Sequence, residues 1–314
     1  MAEDIKLIAG SSHPQLAGEI SQILGVPLTE SEIIRFGNEN ILFQCRENVR
    51  ERDVFVVQTS CSPVSDGIVE LLIMIDALKH ASAARITAVL PYFPYTRSDK
   101  KDRPRISITA RLMADLLETA GANRVLTMNL HSPQEQGFFR FPVDQLNATP
   151  LICDHLRNTT DLMDTVLVAG DVGEAKDLGS YANRLGLPMA IIDKRRYDDS
   201  EHPTPVHLIG DVHNKNALII DDEIASGGTM VEAARFLLNQ GALKVEAAAV
   251  HPVFSGRACT RISESSIQRI VVTNSIPVEK ENRISKLETV SVANLFASAI
   301  HAIHNGESIS RLFH

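Results

Sequence analysis

A chain of 314 residues with 44% hydrophobic and 22% charged side chains has material for two ordinary cores, which argues against disordered, collagenous and disulfide-scaffold classes. Lys and Arg total 31 against 39 Asp and Glu, for a net charge of −8, so no nucleic acid partner is expected and any anionic ligand must be held by local clusters. The apolar stretch at residues 67–78 is interrupted by Glu70 and Asp76 and falls short of the roughly 20 residues of a membrane span, so no membrane partner is expected either. The segment Met1–Gly10 carries Glu3 and Asp4 where a leader would be basic, which predicts a cytoplasmic protein. Cys45, Cys61, Cys153 and Cys259 lie far apart with no CxxC pair, so buried free thiols are expected in place of a zinc or redox centre.

Val- and Ile-rich runs alternate with segments of helical period. Strand at Val54–Gln58, helix at Ile68–Lys79, strand at Ile86–Leu90, helix at Thr109–Thr119 and strand at Val125–Leu130 form one series. A second has strands at Val166–Ala169, Met189–Ile192, Ala217–Ile220, Val245–Val250 and Ile270–Thr273, with helices at Leu178–Leu185 and Met230–Leu238. This rhythm predicts an α/β fold with mainly parallel sheets flanked by helices. The segments Ile86–Arg97 and Val245–Arg257 both read strand, Pro, aromatic, polar turn, which suggests an internal duplication. The expected domains are 1–148 and 149–314, with the last ~20 residues packing back on the first.

The strongest chemical signal is Ala217–Thr229, ALIIDDEIASGGT, a strand that runs into two carboxylates and a small-residue turn before a helix. Gly227 and Gly228 allow close backbone approach, and the N–H groups of Ser226 to Thr229 at a helix start suit a phosphate. Asp221 and Asp222 would repel a phosphate, so sugar hydroxyls or a metal-bound ligand are their partners. Lys194 and Arg196 stand two positions apart after an apolar strand and would share one side of it if extended. His131 and Asp171 follow strand C-termini, where α/β sheets bind ligands. Residues 96–105, TRSDKKDRPR, place five cations against two carboxylates in an acidic chain, the composition of an anion-binding flap.

These segments, together with Ser62–Leu78, Gly121–Val143 and His304–Phe313, resemble the ribose-phosphate pyrophosphokinase family over nearly the full length. The resemblance implies two tandem phosphoribosyltransferase-type domains, Mg²⁺ as cofactor, and transfer of the pyrophosphoryl group of ATP to the C1 hydroxyl of ribose 5-phosphate. It implies catalytic roles for Lys194 and Arg196, metal roles for His131 and Asp171, and ATP contacts from Phe36, Asn38, Asn40, Arg97, Ser98, Asp99 and His131. Ribose 5-phosphate falls to Arg196, Asp221, Asp222, Ala225, Ser226, Gly227, Gly228 and Thr229. Arg50, Ser132, Gln134, Ser308 and Ser310 resemble a regulatory phosphate site, and a homo-oligomer, a dimer-based hexamer, is implied.

The chain departs from the family pattern at Asn129 and Ala225, where acids are usual, at Asn40 for Glu and at Ser98 for Gln. Glu174 replaces a glycine and Asp177 an arginine beside the expected metal site. These changes leave two alternatives open: a catalytically silent regulatory paralogue, and a phosphoribosyltransferase that uses the same Asp221–Thr229 type of loop.

Overall fold

The structure, a computed structural model, describes residues 5–171, 173, 175–195 and 204–313, with only the backbone described at 175–176, 194–195, 204–206, 311 and 313. The chain folds into two compact units, Met1–Asn147 with Ser275–Pro277 and Ser291–His314, and Ala148–Asn274 with Val278–Val290.

The first unit runs β1 (Ile5–Ala9), α1 (Pro14–Leu24), β2 (Ser31–Arg35), β3 (Ile41–Cys45), β4 (Asp53–Val57), α2 (Val64–His80), β5 (Arg85–Leu90), α3 (Thr109–Ala120), β6 (Arg124–Met128) and β7 (Val143–Leu146). Its sheet has the order β1-β4-β5-β6-β7, all parallel, and β2 and β3 pair antiparallel as a separate hairpin. The runs DVFVV and RITAVL are buried almost end to end, as strands covered on both faces must be. Val54, Val56, Ile86 and Leu90 pack with Leu71, Met74, Ile75 and Leu78 of α2 and with Met113 and Leu117 of α3. Helix α3 ends at Gly121, whose φ of 119° lets its N–H reach back to Leu117 and Glu118; a side chain there would also meet Lys79.

The second unit runs α4 (Thr149–Thr159), β8 (Thr165–Ala169), α5 (Ala175–Leu185), β9 (Met189–Arg195), β10 (Thr204–Ile209), β11 (Asn216–Glu223), α6 (Gly228–Asn239), β12 (Lys244–His251), α7 (Ala258–Ser263), β13 (Ile270–Thr273) and β14 (Leu287–Val290). Its sheet order is β10-β9-β8-β11-β12-β13-β14, parallel except at β9–β10. Strands β8, β11, β12, β13 and β14 repeat the order β1, β4, β5, β6, β7, and an excursion with a hairpin, β2–β3 or β9–β10, separates the first two strands each time. Both units are therefore the α/β architecture expected from the sequence, built on one repeated plan.

The chain then returns to the first unit as α8 (Ala293–His304), which buries Phe296, Ala297, Ile300 and Ile303 and packs along α1. At its end the His304 ring lies 2.8 Å from Asp53 Oδ2, and Arg85 Nε donates to Asp53 Oδ1 at 2.8 Å. Among the described residues no helix is long and apolar enough to cross a membrane.

Some expectations are corrected in detail. β6 ends at Met128 rather than Leu130 because Asn129 turns left-handed, with φ 41°, a conformation Asn accepts better than most residues. β9 runs on to Arg195 because antiparallel β10 continues the ladder, with Pro205 opposite Lys194. None of the four cysteines forms a disulfide, but only Cys153 and Cys259 are buried; Cys45 and Cys61 are half-buried.

Candidate active site

In the second unit β11 lies between β8 and β12 and carries Asp221 and Asp222 out at its C-terminal end. Both are half-buried, and Asp222 N–H donates to Asp221 Oδ1 at 2.9 Å. The loop beyond is tied to the neighbouring strand's continuation by Ile224 N–H to His251 O, Phe254 N–H to Ile224 O and Ser255 N–H to Ala225 O. Gly227 then turns left-handed, with φ 71°, and starts α6 without a side-chain cap. A Cβ there would stand 3.3 Å from Ile262, so both backbone and space favour glycine. Ser226 and Thr229 are exposed, and the Ser226 hydroxyl lies a long 3.5 Å from the Gly228 N–H. A twelve-residue helix thus offers its positive end and unsatisfied N–H groups beside two carboxylates. Arg261 of α7 donates to the Ser226 carbonyl and brings a cation to this loop that sequence reasoning did not find.

Asp171 lies two residues past β8, exposed, with Oδ1 accepting from Gly173 N–H at 2.8 Å. This Asx turn fixes the carboxylate at the strand's C-terminal end. Asp177 is exposed in the first turn of α5. Lys194 is placed by the β9 backbone, while Arg196 and Glu174 fall outside the described residues.

In the first unit, Phe36, Asn38 and Asn40 lie together at the tip of the β2–β3 hairpin, all exposed. Phe36 N–H donates to Asn40 O at 2.9 Å, and Asn40 N–H to Asn38 Oδ1 at 3.2 Å. The cationic segment 96–105 belongs to an irregular stretch between β5 and α3, with Arg97 and residues 100–107 exposed. Ser98 serves that stretch structurally, since Ala110 N–H donates to its carbonyl at 3.2 Å and its hydroxyl lies 3.3 Å from Thr109 Oγ1. Asp99 beside it is half-buried. His131 is exposed just past β6, its N–H donating to Thr96 Oγ1 at 3.1 Å.

The same corner holds a carboxyl the sequence reading passed over. Glu135 is fully buried, accepts from Thr96 Oγ1 at 2.8 Å and from Ser132 N–H at 3.1 Å, and burial pushes its pKa up to about 7. Ser132-x-x-Glu135 is a capping box, a local signal legible in sequence; its burial was not. Of the regulatory candidates, Ser132 Oγ lies 2.7 Å from Gln134 Oε1, and Ser310 N–H donates to Ser308 Oγ at 3.2 Å. Arg50 is exposed before β4.

Comparison with known proteins identifies the family of the chain. The N-terminal domain of ribose phosphate pyrophosphokinase matches residues 5–121, and the phosphoribosyl synthetase-associated domain matches residues 196–314. Ribose-phosphate pyrophosphokinase of Chlorobaculum tepidum is 46% identical over all of this chain and 96% of its own. That of Deinococcus radiodurans is 47% identical over 98% of this chain and 97% of its own. The crystal structure of phosphoribosylpyrophosphate synthetase from Mycobacterium smegmatis superposes with a TM-score of 0.91 at 39% identity, covering 96% of this chain and 99% of that one. With the helix-start loop after paired aspartates, the repeated sheet plan and this full-length similarity, the chain belongs to the ribose-phosphate pyrophosphokinase family.

Proposed function

We propose that this chain transfers the pyrophosphoryl group of ATP to the C1 hydroxyl of ribose 5-phosphate, giving phosphoribosyl pyrophosphate and AMP. The observation that carries the reading is the uncapped start of α6 at Gly227 beside Asp221 and Asp222. The α6 amides suit the 5-phosphate, and the carboxylates suit the ribose hydroxyls. Ala225, Ser226, Gly228 and Thr229 complete the cradle, with no anionic side chain among them to repel the phosphate. Phe36, Asn38 and Asn40 offer a ring face and amides for adenine. Arg97 supplies a fixed charge for the triphosphate.

Mg²⁺ suits the oxygen of Asp171 better than the nitrogen of His131. Among the described residues no three His, Cys, Asp or Glu side chains form a metal cluster, so most of its ligands would be phosphate oxygens and water. Bound there, the cation would neutralise charge on the transferring group. His131 would then face an ATP phosphate. Lys194 and Arg196 are assigned to the charge that develops on the transferring pyrophosphoryl oxygens. Closure of residues 96–105 would exclude water from the transfer. Ser132, Gln134, Ser308, Ser310 and Arg50 are assigned to a regulatory phosphate, and the working form is assigned to a homo-oligomer. Neither the silent paralogue nor the phosphoribosyltransferase is favoured by relatives that are pyrophosphokinases over their full length.

The test is release of AMP from Mg²⁺-ATP by the purified protein. The reading expects AMP only when ribose 5-phosphate is present; no AMP from folded, ATP-binding protein would turn it to the silent paralogue.

A further inference from the structure

Glu135 has no exposed surface, and the roles assigned above do not use it. Its Oε1 accepts from Thr96 Oγ1 at 2.8 Å and from Ser132 N–H at 3.1 Å, while Oε2 is buried with no hydrogen-bond partner among the described residues. Thr96, itself 2% exposed, accepts in turn at its hydroxyl from His131 N–H at 3.1 Å. One buried carboxyl therefore fixes two segments that are distant in sequence, the chain just before Arg97 and the chain just after His131. Arg97 and His131 are both exposed. The buried atoms set where their backbones stand, at two positions whose side chains are exposed.

We propose that Glu135 is a positioning residue for the nucleotide: through Thr96 it holds Arg97 and His131 in one register, so that both reach the phosphates of ATP. The proposal rests on the reading of Arg97 and His131 as nucleotide contacts. A leucine would fill the same space without the cost of desolvating a carboxyl or leaving one oxygen unpaired. The acid is worth that cost only for the bonds that Oε1 makes, and Oε1 can accept in both protonation states. The charged groups that act on it are Asp99, which disfavours its ionised form, and His131, which favours it. A hydrogen-bonded network of this kind is rigid when whole and loose when one member is lost.

The experiment uses the full chain and the variants E135L, E135Q and T96V, with KM for ATP and for ribose 5-phosphate measured from AMP release and folding followed by thermal melting. E135L and T96V are expected to raise KM for ATP about ten-fold while leaving KM for ribose 5-phosphate near that of the parent. E135Q keeps an acceptor at Oε1 and is expected to stay within about three-fold. The double variant T96V/E135L should be no worse than E135L, because both cut one network. An E135L or T96V enzyme with unchanged KM for ATP, or with equal losses for both substrates, overturns the proposal. T96V, which exchanges a hydroxyl for a methyl of similar size, carries the test if E135L does not fold. Hydrogen exchange over residues 129–136 separates the two readings: protection lost in E135L and kept in E135Q supports the positioning role even if the parent releases no AMP. Unchanged protection in E135L refutes it.

Discussion

At the scale of single residues, Glu135 makes stability depend on pH with a defined sign. Its folded pKa of about 7 lies above the ordinary carboxyl value of 4.5, so between those values the folded state holds a proton that the unfolded chain has lost. The contribution is full below about pH 4.5, falls as pH rises towards 7 and is gone above it, amounting to roughly 3 kcal/mol. Thermal melts should show E135Q gaining on the parent by several degrees between pH 5 and pH 8; a constant offset would show that Glu135 is ionised throughout. Burial also raises the Cys45 and Cys259 thiols and pushes Cys153 up to about 11. Burial thus disfavours the thiolate form at all three positions. For Lys194, the Ala variant should lower kcat by about 100-fold or more with ribose 5-phosphate affinity little changed, as expected when one fixed charge is removed from a transfer. Steady-state kinetics that show normal kcat and weak substrate binding would assign Lys194 to binding instead.

Among the elements, the β11–α6 turn was legible because its signal is local: an apolar strand, three acids, two glycines and the start of a helix all fall within Ala217–Met230. Gly227 should tolerate no side chain, since its φ of 71° and its 3.3 Å clearance to Ile262 both oppose a Cβ. Gly227→Val is expected to cost about 1 kcal/mol or more in stability and to weaken ribose 5-phosphate binding with ATP binding kept, as read by calorimetry with each ligand alone. What escaped the sequence depends on partners far along the chain. Arg261 reaches Ser226 across 35 positions and Thr96 reaches Glu135 across 39, and no periodicity encodes such pairs. Strand β10 escaped for a different reason. Its sequence TPVHLI carries a proline at its second position that weakens the strand signal, and it is held as an edge strand, where proline is tolerated. The limit of β6 turned on a single residue, Asn129, whose left-handed backbone ends an otherwise apolar run.

Across the whole molecule, the duplication expected from two matching segments appears as one strand order used twice, β5 and β12 holding the same place in each sheet. The chain order of the units is less simple, because α8 follows the second unit in sequence and belongs to the first. Phe296, Ile300 and Ile303 of α8 are buried, each worth roughly 1.5–3 kcal/mol. Their sum is comparable to the stability of a typical domain. A chain ended at Val290 should therefore lose cooperative unfolding of the first unit while hydrogen exchange stays slow in β8, β11 and β12. Full protection in β4 and β5 of that shortened chain would show α8 to be dispensable. The reaction belongs to the whole chain, and phosphorus NMR of the products reads which group is transferred and to which hydroxyl. With Mg²⁺-ATP and ribose 5-phosphate, one AMP and one ribose 5-phosphate bearing a pyrophosphoryl group at C1 should appear for each ATP consumed. ADP with a ribose bisphosphate, or AMP and pyrophosphate without a new sugar phosphate, would contradict it.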